Sequence, residues 1–409
     1  MGQQGGPLSS RTESVAKCEA DWGFPVAPFH FQFTYAILHP VSTSRNKTIT
    51  LTDEERHFYH SQLLEPHENT DKTPFSLSQL QDKILHGDLL QLMDLLPPSC
   101  VDLLILDPPY NMAKNFAGMK FSSLSDQEYL DYLESWFPSV FRCLKPTGSI
   151  YLCGDWKNSA CLYFLLKKYA IVRNRIVWQR EKGRGAKANW KNACEDIWFA
   201  TCSQDFYFDV ESVKQKRRVL APYRQEGKPK DWEETEEGRF RLTHPGNFWD
   251  DISVPYWSMP ENTEHPTQKP EKLIAKLILA SCPPEGLVLD PFLGSGTSAV
   301  VAKKLGRHFI GVEQNLEYCL LAQKRLAMAE ENPSIQGYTD GVFWERNTAL
   351  LQKSVSSRNT ALLQKSVSSR NTALLQKSVS SRNTALLQKS VSSRNTASSD
   401  EVLFHDDEL

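Results

Sequence analysis

No apolar run among the 409 residues approaches the ~20 needed to span a bilayer. No basic stretch followed by an apolar segment opens the chain, so no secretory leader is expected. The nine cysteines include no CxxC pair; they read as free thiols in a reducing cytoplasm, and no metal site is expected. Neither sign of charge dominates, the net being −2, so overall charge points to no partner. No Pro-Cys dipeptide occurs, which excludes chemistry that needs a cysteine nucleophile placed directly after proline.

What is present begins at Val101-Asp102-Leu103-Leu104-Ile105-Leu106, a run with the length and composition of a buried parallel strand. Asp107-Pro108-Pro109-Tyr110 follows. Two prolines cannot donate to a ladder, so the strand stops there. A carboxylate and an aromatic ring are thus held at the carboxyl end of a central strand, where open α/β sheets bind ligands.

Around that strand the pattern alternates. Lys83 to Asp88 reads as a short strand ending in an acid, and Leu89 to Leu96 as a short helix stopped by Pro97-Pro98. A helix from Asp126 to Leu144 has Ser125 as its cap. Strands are expected at Ser149–Leu152, Ile171–Gln179 and Ile197–Thr201, with a helix over Lys157–Tyr169. From Phe206 to Glu264 no period persists, and an irregular stretch this long reads as functional. Order returns with a helix ending near Ser281, then the strand Leu287–Asp290, a tight turn and another helix. The strand Arg307–Glu313 and a helix from Leu316 to Ala329 close the domain. Near the start, Thr52 and Glu55 form a capping-box pattern for a helix over Thr52–Leu64. The expected organisation is a poorly specified arm over 1–77, a catalytic domain over 78–332 and a tail over 333–409. From Arg346 the tail repeats Arg-Asn-Thr-Ala-Leu-Leu-Gln-Lys-Ser-Val-Ser-Ser without change, which suits a disordered tract expanded by duplication. A non-specific basic arm for DNA is the alternative for this tract.

Gly294-Ser295-Gly296-Thr297 lies between a strand and a helix, where a cofactor turn belongs. It lacks the third glycine of the dinucleotide fingerprint, which weighs against a dehydrogenase. Glu313, roughly 20 residues on at the next strand end, is placed for ribose hydroxyls, and Asp88 for an adenine amino group. Taken singly, each acid is more readily a helix cap or a solvated charge. Together with Asp107 they gather acids at one edge of the sheet. Between Arg173 and Lys191 stand Arg173, Arg175, Arg180, Lys182, Arg184, Lys187 and Lys191 against one acid, with Trp178 and Trp190 interleaved. Such a block is ordinarily a solvated face; with aromatics and glycines it suits a loop against nucleic acid. Lys214, Lys216, Arg217 and Arg218 extend the basic set, with Arg217 and Arg218 as candidate DNA contacts.

Asp-Pro-Pro-Tyr-Asn, His-Pro-Thr-Gln-Lys-Pro and Asp-Pro-Phe-x-Gly-Ser-Gly-Thr resemble three signatures of the S-adenosylmethionine-dependent DNA amino-methyltransferases, in the order of the β group. The resemblance runs from about Ile84 to Leu326. It implies an α/β fold of the Rossmann-like methyltransferase kind, a mostly parallel sheet with helices on both faces, and an inserted target-recognition lobe at about 182–260. It implies that Asp290, Phe292, Gly294, Gly296, Thr297 and Glu313 line the pocket for S-adenosylmethionine, with Thr267 and Lys269 near its methionine end. Many members carry a His-Glu pair before the strand at Ile197, where this chain has Cys194-Glu195-Asp196. The partner implied is double-stranded DNA, with a cognate restriction endonuclease possible; the protein itself would be a monomer or homodimer at the nucleoid of a prokaryotic cell.

The chemistry of the residues agrees with the resemblance. An exocyclic amino group is a poor nucleophile because its lone pair is delocalised into the ring. The Asp107 carboxylate and the Pro108 carbonyl, accepting its two hydrogens, would draw the nitrogen toward tetrahedral geometry; this is positioning and electrostatics. The base must leave the duplex first, and Tyr110 can stack on it. Asp in the first motif position leans toward adenine N6; cytosine N4 is the alternative. Protein glutamine methylation fits less well, since its catalysts usually carry Asn-Pro-Pro-Tyr. A catalytically silent DNA-binding module would not need the intact pocket residues.

Overall fold

The computed structural model describes residues 45–345, apart from 67–73, 112–113, 117–118, 122, 181–187, 189, 220–222 and 236–237. Its centre is an eight-stranded sheet. In chain order the strands are β1 (Lys83–His86), β2 (Val101–Leu106), β3 (Leu144–Gly154), β4 (Ile171–Gln179), β5 (Cys194–Thr201), β6 (Phe248–Trp249), β7 (Leu287–Asp290) and β8 (His308–Glu313). In space they run β1-β8-β7-β2-β3-β5-β4-β6. Every neighbouring pair is parallel except those that β5 makes with β3 and β4. The expected mostly parallel α/β sheet is what forms.

Successive side chains of a strand point to opposite faces, and β2 shows the consequence. Leu103 and Ile105 join one core with Ile274, Ile278, Val300 and Leu326, while Leu104 and Leu106 join the other with Leu133, Phe137 and Leu162. Of the helices α1 (Asp53–His60), α2 (Asp126–Phe141), α3 (Ser159–Tyr169), α4 (Glu271–Ser281), α5 (Thr297–Lys304) and α6 (Leu316–Glu331), the last five are thereby divided. α2 and α3 cover one face, α4, α5 and α6 the other. Burial of β2 on both faces is why its sequence is an unbroken apolar run.

Local signals are realised closely at the helix starts. Thr52 caps α1 and Ser125 caps α2, each completed as a capping box by Glu55 and Glu128. α1 ends at His60, short of Leu64, because the chain turns to add Leu64 alongside Leu85.

Two expected boundaries are corrected. The folded body starts well before residue 78: Ile49 bridges Thr263, Arg56 pairs with Glu317 at 2.8 Å, and Lys324 pairs with Glu55 at 2.7 Å. It also continues past residue 333. Residues 338–339 and 342–344 form strands of a second sheet, ordered 233–235, 238–243, 215–218, 342–344, 338–339. Phe343 and Trp344 are buried there. The stretch 206–264, which shows no period, therefore holds much of this smaller lobe, whose pairs are antiparallel except 215–218 with 342–344. Its strands run two to six residues, too short to declare a period. The repeats from Arg346 onward lie outside the described residues. Among the described residues no helix is long and apolar enough to cross a membrane, and no cluster of His, Cys, Asp and Glu has a metal-holding arrangement.

Candidate active site

β7 continues through α5 to β8 on one side, and β2 through α2 to β3 on the other. The direction of winding thus reverses between β7 and β2. Asp290 ends β7 and Asp107 directly follows β2. A crevice at the carboxyl ends of strands at such a reversal is the usual ligand site of open α/β sheets. Here it is a cavity of about 500 Å³ whose walls include Asp88, Asp107, Pro108, Pro109, Tyr110, Thr267, Lys269, Asp290, Phe292, Gly294, Thr297 and Glu313. All the catalytic and all but one of the cofactor candidates thus share one cavity.

Gly296 is the exception. A Cβ there would lie 2.5 Å from Ala322 Cβ on α6, and its φ is +84°. Its glycine is required by close packing of the turn against α6 and by a left-handed backbone. Gly294, at φ +53°, does face the cavity, and its N–H donates to Glu313 Oε2 at 2.8 Å.

The acids at the strand ends have local duties as well. Asp88 caps the short helix Leu89–Leu92 by accepting from Leu90 N at 2.9 Å. Glu313 also accepts from Asn315 N at 2.8 Å, and burial raises its pKa against those two backbone donors. Asp290 accepts from Phe292 N at 3.0 Å and from the Ser298 hydroxyl, and burial pushes its pKa up to about 7. Phe292 meets the Trp136 indole edge-on, with centroids 4.8 Å apart, giving the cavity an aromatic wall. Behind the glycine turn, buried Arg325 donates to Ser295 O at 2.8 Å and Thr297 Oγ1 at 3.0 Å, with Glu271 as its counter-ion at 3.0 Å.

At the other end Asp107 sits in a charged cluster. The Lys269 ammonium, 9% exposed, donates to Asp107 Oδ2 at 2.6 Å and to Tyr110 Oη at 3.2 Å. It lies 3.6 Å from Glu195 Oε2. The Tyr110 hydroxyl is shared between Asp107 Oδ1 at 3.0 Å and Glu195 Oε2 at 3.3 Å, and Arg180 pairs with Glu195 Oε1. Burial pulls the Lys269 pKa down, but the Asp107 and Glu195 carboxylates outweigh it, and the net shift is upward. Burial, then the same two carboxylates, lifts the Tyr110 phenol well above its usual range. At neutral pH Lys269 is therefore a cation and Tyr110 a neutral donor. His265, on the cavity wall, is held down to about 4 by burial and by Lys269 and Arg325, so it is neutral there.

Glu195, His265, Trp136 and Tyr318 belong to this cavity and were not among the expected site residues. For Glu195 the signal was its slot ahead of the strand at Ile197, where family members have His-Glu. For His265 it was the head of the His-Pro-Thr-Gln-Lys-Pro segment; Trp136 and Tyr318 carry no local mark that separates them from core or turn residues.

The basic candidates divide. Arg180 points into the cavity onto Glu195. Arg175 lies 3.6 Å from Asp196, and Lys191 is exposed. Arg173 is seven residues before Arg180 on a strand direction that rises ~3.3 Å per residue, so it lies toward the opposite edge. There it bonds Thr201, Ser203 and Gln204 and stacks on Phe206 at 4.4 Å. That set of bonds makes Arg173 a staple of the strand ends, away from the cavity that Arg180 reaches. Arg217 pairs with Glu345 at 3.0 Å, and Arg218 is exposed on the same strand. Lys182, Arg184 and Lys187 lie outside the described residues.

Residues 101–324 match the family described as DNA methylase. A "DNA adenine methyltransferase YhdJ" of Escherichia coli (strain K12) is 35% identical over 253 residues, 60% of this chain and 83% of that protein. A "Type II methyltransferase M.HpaI" of Haemophilus parainfluenzae is 30% identical over 250 residues, covering 60% of this chain and 74% of that one. Among solved structures, a PvuII DNA methyltransferase titled cytosine-N4-specific aligns at 21% identity with a TM-score of 0.46, over 59% of this chain and 85% of that one.

Proposed function

This chain belongs to the DNA methylase family, and from that premise we propose that it methylates the N6 amino group of adenine in duplex DNA at a specific sequence. The observation that carries the reading is the cluster of Asp107, Tyr110, Lys269 and Glu195 at the winding reversal, across the cavity from the Asp290–Thr297 turn.

The methyl donor is S-adenosylmethionine, whose sulfonium carries an electrophilic methyl group. The residues present suit it. Asp88, Glu313 and Asp290 offer carboxylates to hydroxyl, amino and cationic groups, Trp136 and Phe292 an aromatic wall, and the cavity of about 500 Å³ is of cofactor size. Asp107 accepts one hydrogen of the target amino group and the Pro108 carbonyl the other. This pulls the nitrogen out of conjugation and aims its lone pair at the methyl group. The proton that the nitrogen gives up leaves by way of Asp107. Tyr110, its hydroxyl tethered to Asp107 and Glu195, presents a fixed ring for the flipped base. Sequence recognition is assigned to about 182–260, and cytosine N4 is the second target that the same geometry accepts.

The test is base-resolved methylation mapping of DNA from cells expressing the full chain, an Asp107→Ala variant, or neither. A single methylated motif, at adenine N6, that disappears with the substitution is the expected result. Methyl groups confined to cytosine N4 would move the assignment to the alternative. No methylation from the unsubstituted chain would sink both.

A further inference from the structure

Asp107 is engaged on both oxygens in the resting protein. Oδ2 accepts from the Lys269 ammonium at 2.6 Å and Oδ1 from Tyr110 at 3.0 Å. A charge-assisted bond that short is among the strong ones. It also neutralises the carboxylate that an incoming amino group needs as acceptor. Beside it stands a second carboxylate. Glu195 is buried at 4% exposure, and its strand position is fixed from both sides, by Trp178 of β4 opposite it and by Gly154 of β3 opposite Asp196. Arg180 holds Oε1, so Oε2 is turned toward Lys269 at 3.6 Å and Tyr110 at 3.3 Å.

A purely structural role would need only the Arg180 pair, and a buried structural lysine would need only Asp107. One ammonium between two carboxylates, 2.6 Å from one and 3.6 Å from the other, is an arrangement with two states. The lysine stem is flexible enough to cross that gap. The cluster holds two cations, Lys269 and Arg180, and two carboxylates, Asp107 and Glu195, in both states, so the crossing leaves no charge uncompensated.

We propose that Glu195 is a positioning residue that acts through Lys269: as the target amino group enters, the ammonium moves its bond from Asp107 to Glu195, and Asp107 Oδ2 is released to accept the amino hydrogen. No covalent bond changes and no proton changes owner in this step. The inference rests on the methyl-transfer reading above.

The experiment uses the purified full chain, S-adenosylmethionine and a duplex carrying the mapped motif. Single-turnover transfer, DNA and cofactor affinity and thermal midpoint are measured for Glu195→Gln, Glu195→Asp, Lys269→Met and the Glu195→Gln/Lys269→Met pair. Glu195→Gln is expected to slow transfer about tenfold while both affinities stay within about threefold. Glu195→Asp, which keeps the charge, should recover part of the rate. In the Lys269→Met background Glu195→Gln should cost nothing further, the signature of two residues acting as one. Transfer at the unsubstituted rate in Glu195→Gln would overturn the proposal, and so would a cost that multiplies in full on top of Lys269→Met. Should Glu195→Gln fail to fold, Glu195→Asp carries the test: a rate equal to the unsubstituted chain's, from a carboxylate withdrawn by one methylene, overturns it as well. An inactive unsubstituted chain would instead sink the activity reading, and with it this step.

Discussion

In the eight-stranded sheet the working groups stand where strands stop. Asp107, Asp290 and Glu313 each terminate or follow a parallel strand, and each has partners a few residues away or beside the adjoining strand end, Lys269 on Asp107 being the distant one. In the five-stranded lobe the charged groups lie along the strands, and their partners come from across the chain. Lys216 is stacked between Phe240 at 4.9 Å and Trp344 at 4.4 Å. The lobe is tied to α4 by Lys272, which donates to the Trp344 carbonyl and to Asp251, each at 2.5 Å. Lys276 joins them, over the rings of Trp249 at 4.9 Å and Phe343 at 5.5 Å, and burial lowers its pKa to about 8 against the pull of Asp251. One region takes its chemistry from backbone topology. The other takes its position from long-range packing of a few aromatics and lysines. The two should therefore fail differently: the first by losing chemistry while staying folded, the second by losing stability while the chemical groups remain.

The largest effect expected on that contrast is at Asp107. Asp107→Ala should lower single-turnover transfer by about 10³-fold or more, the scale of a lost preorganised polar contact. Cofactor binding and the thermal midpoint should largely survive, because the glycine turn is held independently by Glu313 and Arg325. Calorimetric cofactor titration beside the rate measurement checks it. Substantial turnover in the variant would remove Asp107 from the mechanism.

Next come two truncations. A stop after Glu345 removes the repeats and should leave folding, cofactor binding and target sequence unchanged. A stop after Pro333 removes Phe343 and Trp344, whose burial loss costs ~3–5 kcal/mol each when such rings are cut to alanine. That is comparable with the whole stability of a typical domain. The shorter chain should melt early and lose cooperativity, as differential scanning calorimetry would report. Equal melting of the two truncations would mean that the lobe contributes nothing to the body.

The contrast also explains what was legible in the sequence. β2 is apolar on both faces, and Pro108-Pro109 can only end it, so the place of Asp107 was readable from ten residues. Thr52–Glu55 and Ser125–Glu128 announce their helices by local hydrogen bonds. Phe343 and Trp344 gave no such sign. Their strand is three residues long, and its partner, Gln215–Arg218, lies more than a hundred residues away. Glu195 was obscured because its role depends on Arg180, Tyr110 and Lys269 arriving from three other segments. Gly296 was only partly legible, for the opposite reason. A glycine in a cofactor turn invites a ligand explanation, while its neighbour is Ala322.

A smaller effect separates two groups within the first region by pH. His265 is pulled from 6.5 to about 4 in the folded chain, so the folded state keeps it neutral while the unfolded chain binds a proton. Its contribution to stability is fully present above pH 6.5 and is lost as pH falls toward 4. Asp290 is raised from 3.8 to about 7, so the unfolded chain ionises it first. Its contribution is fully present below pH 3.8 and is lost as pH rises through 7. Between those limits the two slopes oppose each other. Relative to the unsubstituted chain, His265→Gln should make stability fall more steeply as pH rises, and Asp290→Asn should make it fall less. Each change should be on the order of 1–3 kcal/mol across the window. Urea titrations at pH 4.5, 5.5 and 6.5 measure both; the same sign of change in the two variants would refute the assignment.

The smallest expected effect concerns where DNA lies between the two regions. Arg173 and Arg184 belong to the same basic block in the sequence, but Arg173 is fastened to Thr201, Ser203 and Gln204 at the edge away from the cavity. Lys191, by contrast, is exposed a few residues before β5, on the catalytic side. If the segment leading into β5 is one wall of the cleft, then Arg184→Ala and Lys187→Ala together should weaken DNA binding without changing the methylated motif. Each lost phosphate contact should also reduce the salt slope by about one. Arg173→Ala should leave both affinity and slope alone and cost instead ~1–2 kcal/mol of stability, as fits a side chain that bonds a backbone carbonyl and two neighbouring side chains. Binding titrations at four salt concentrations, paired with melts, distinguish the two patterns. An unchanged slope in the Arg184/Lys187 variant, or a reduced one in Arg173→Ala, would reverse the assignment and put the DNA along the far edge of β4 and the lobe beyond it.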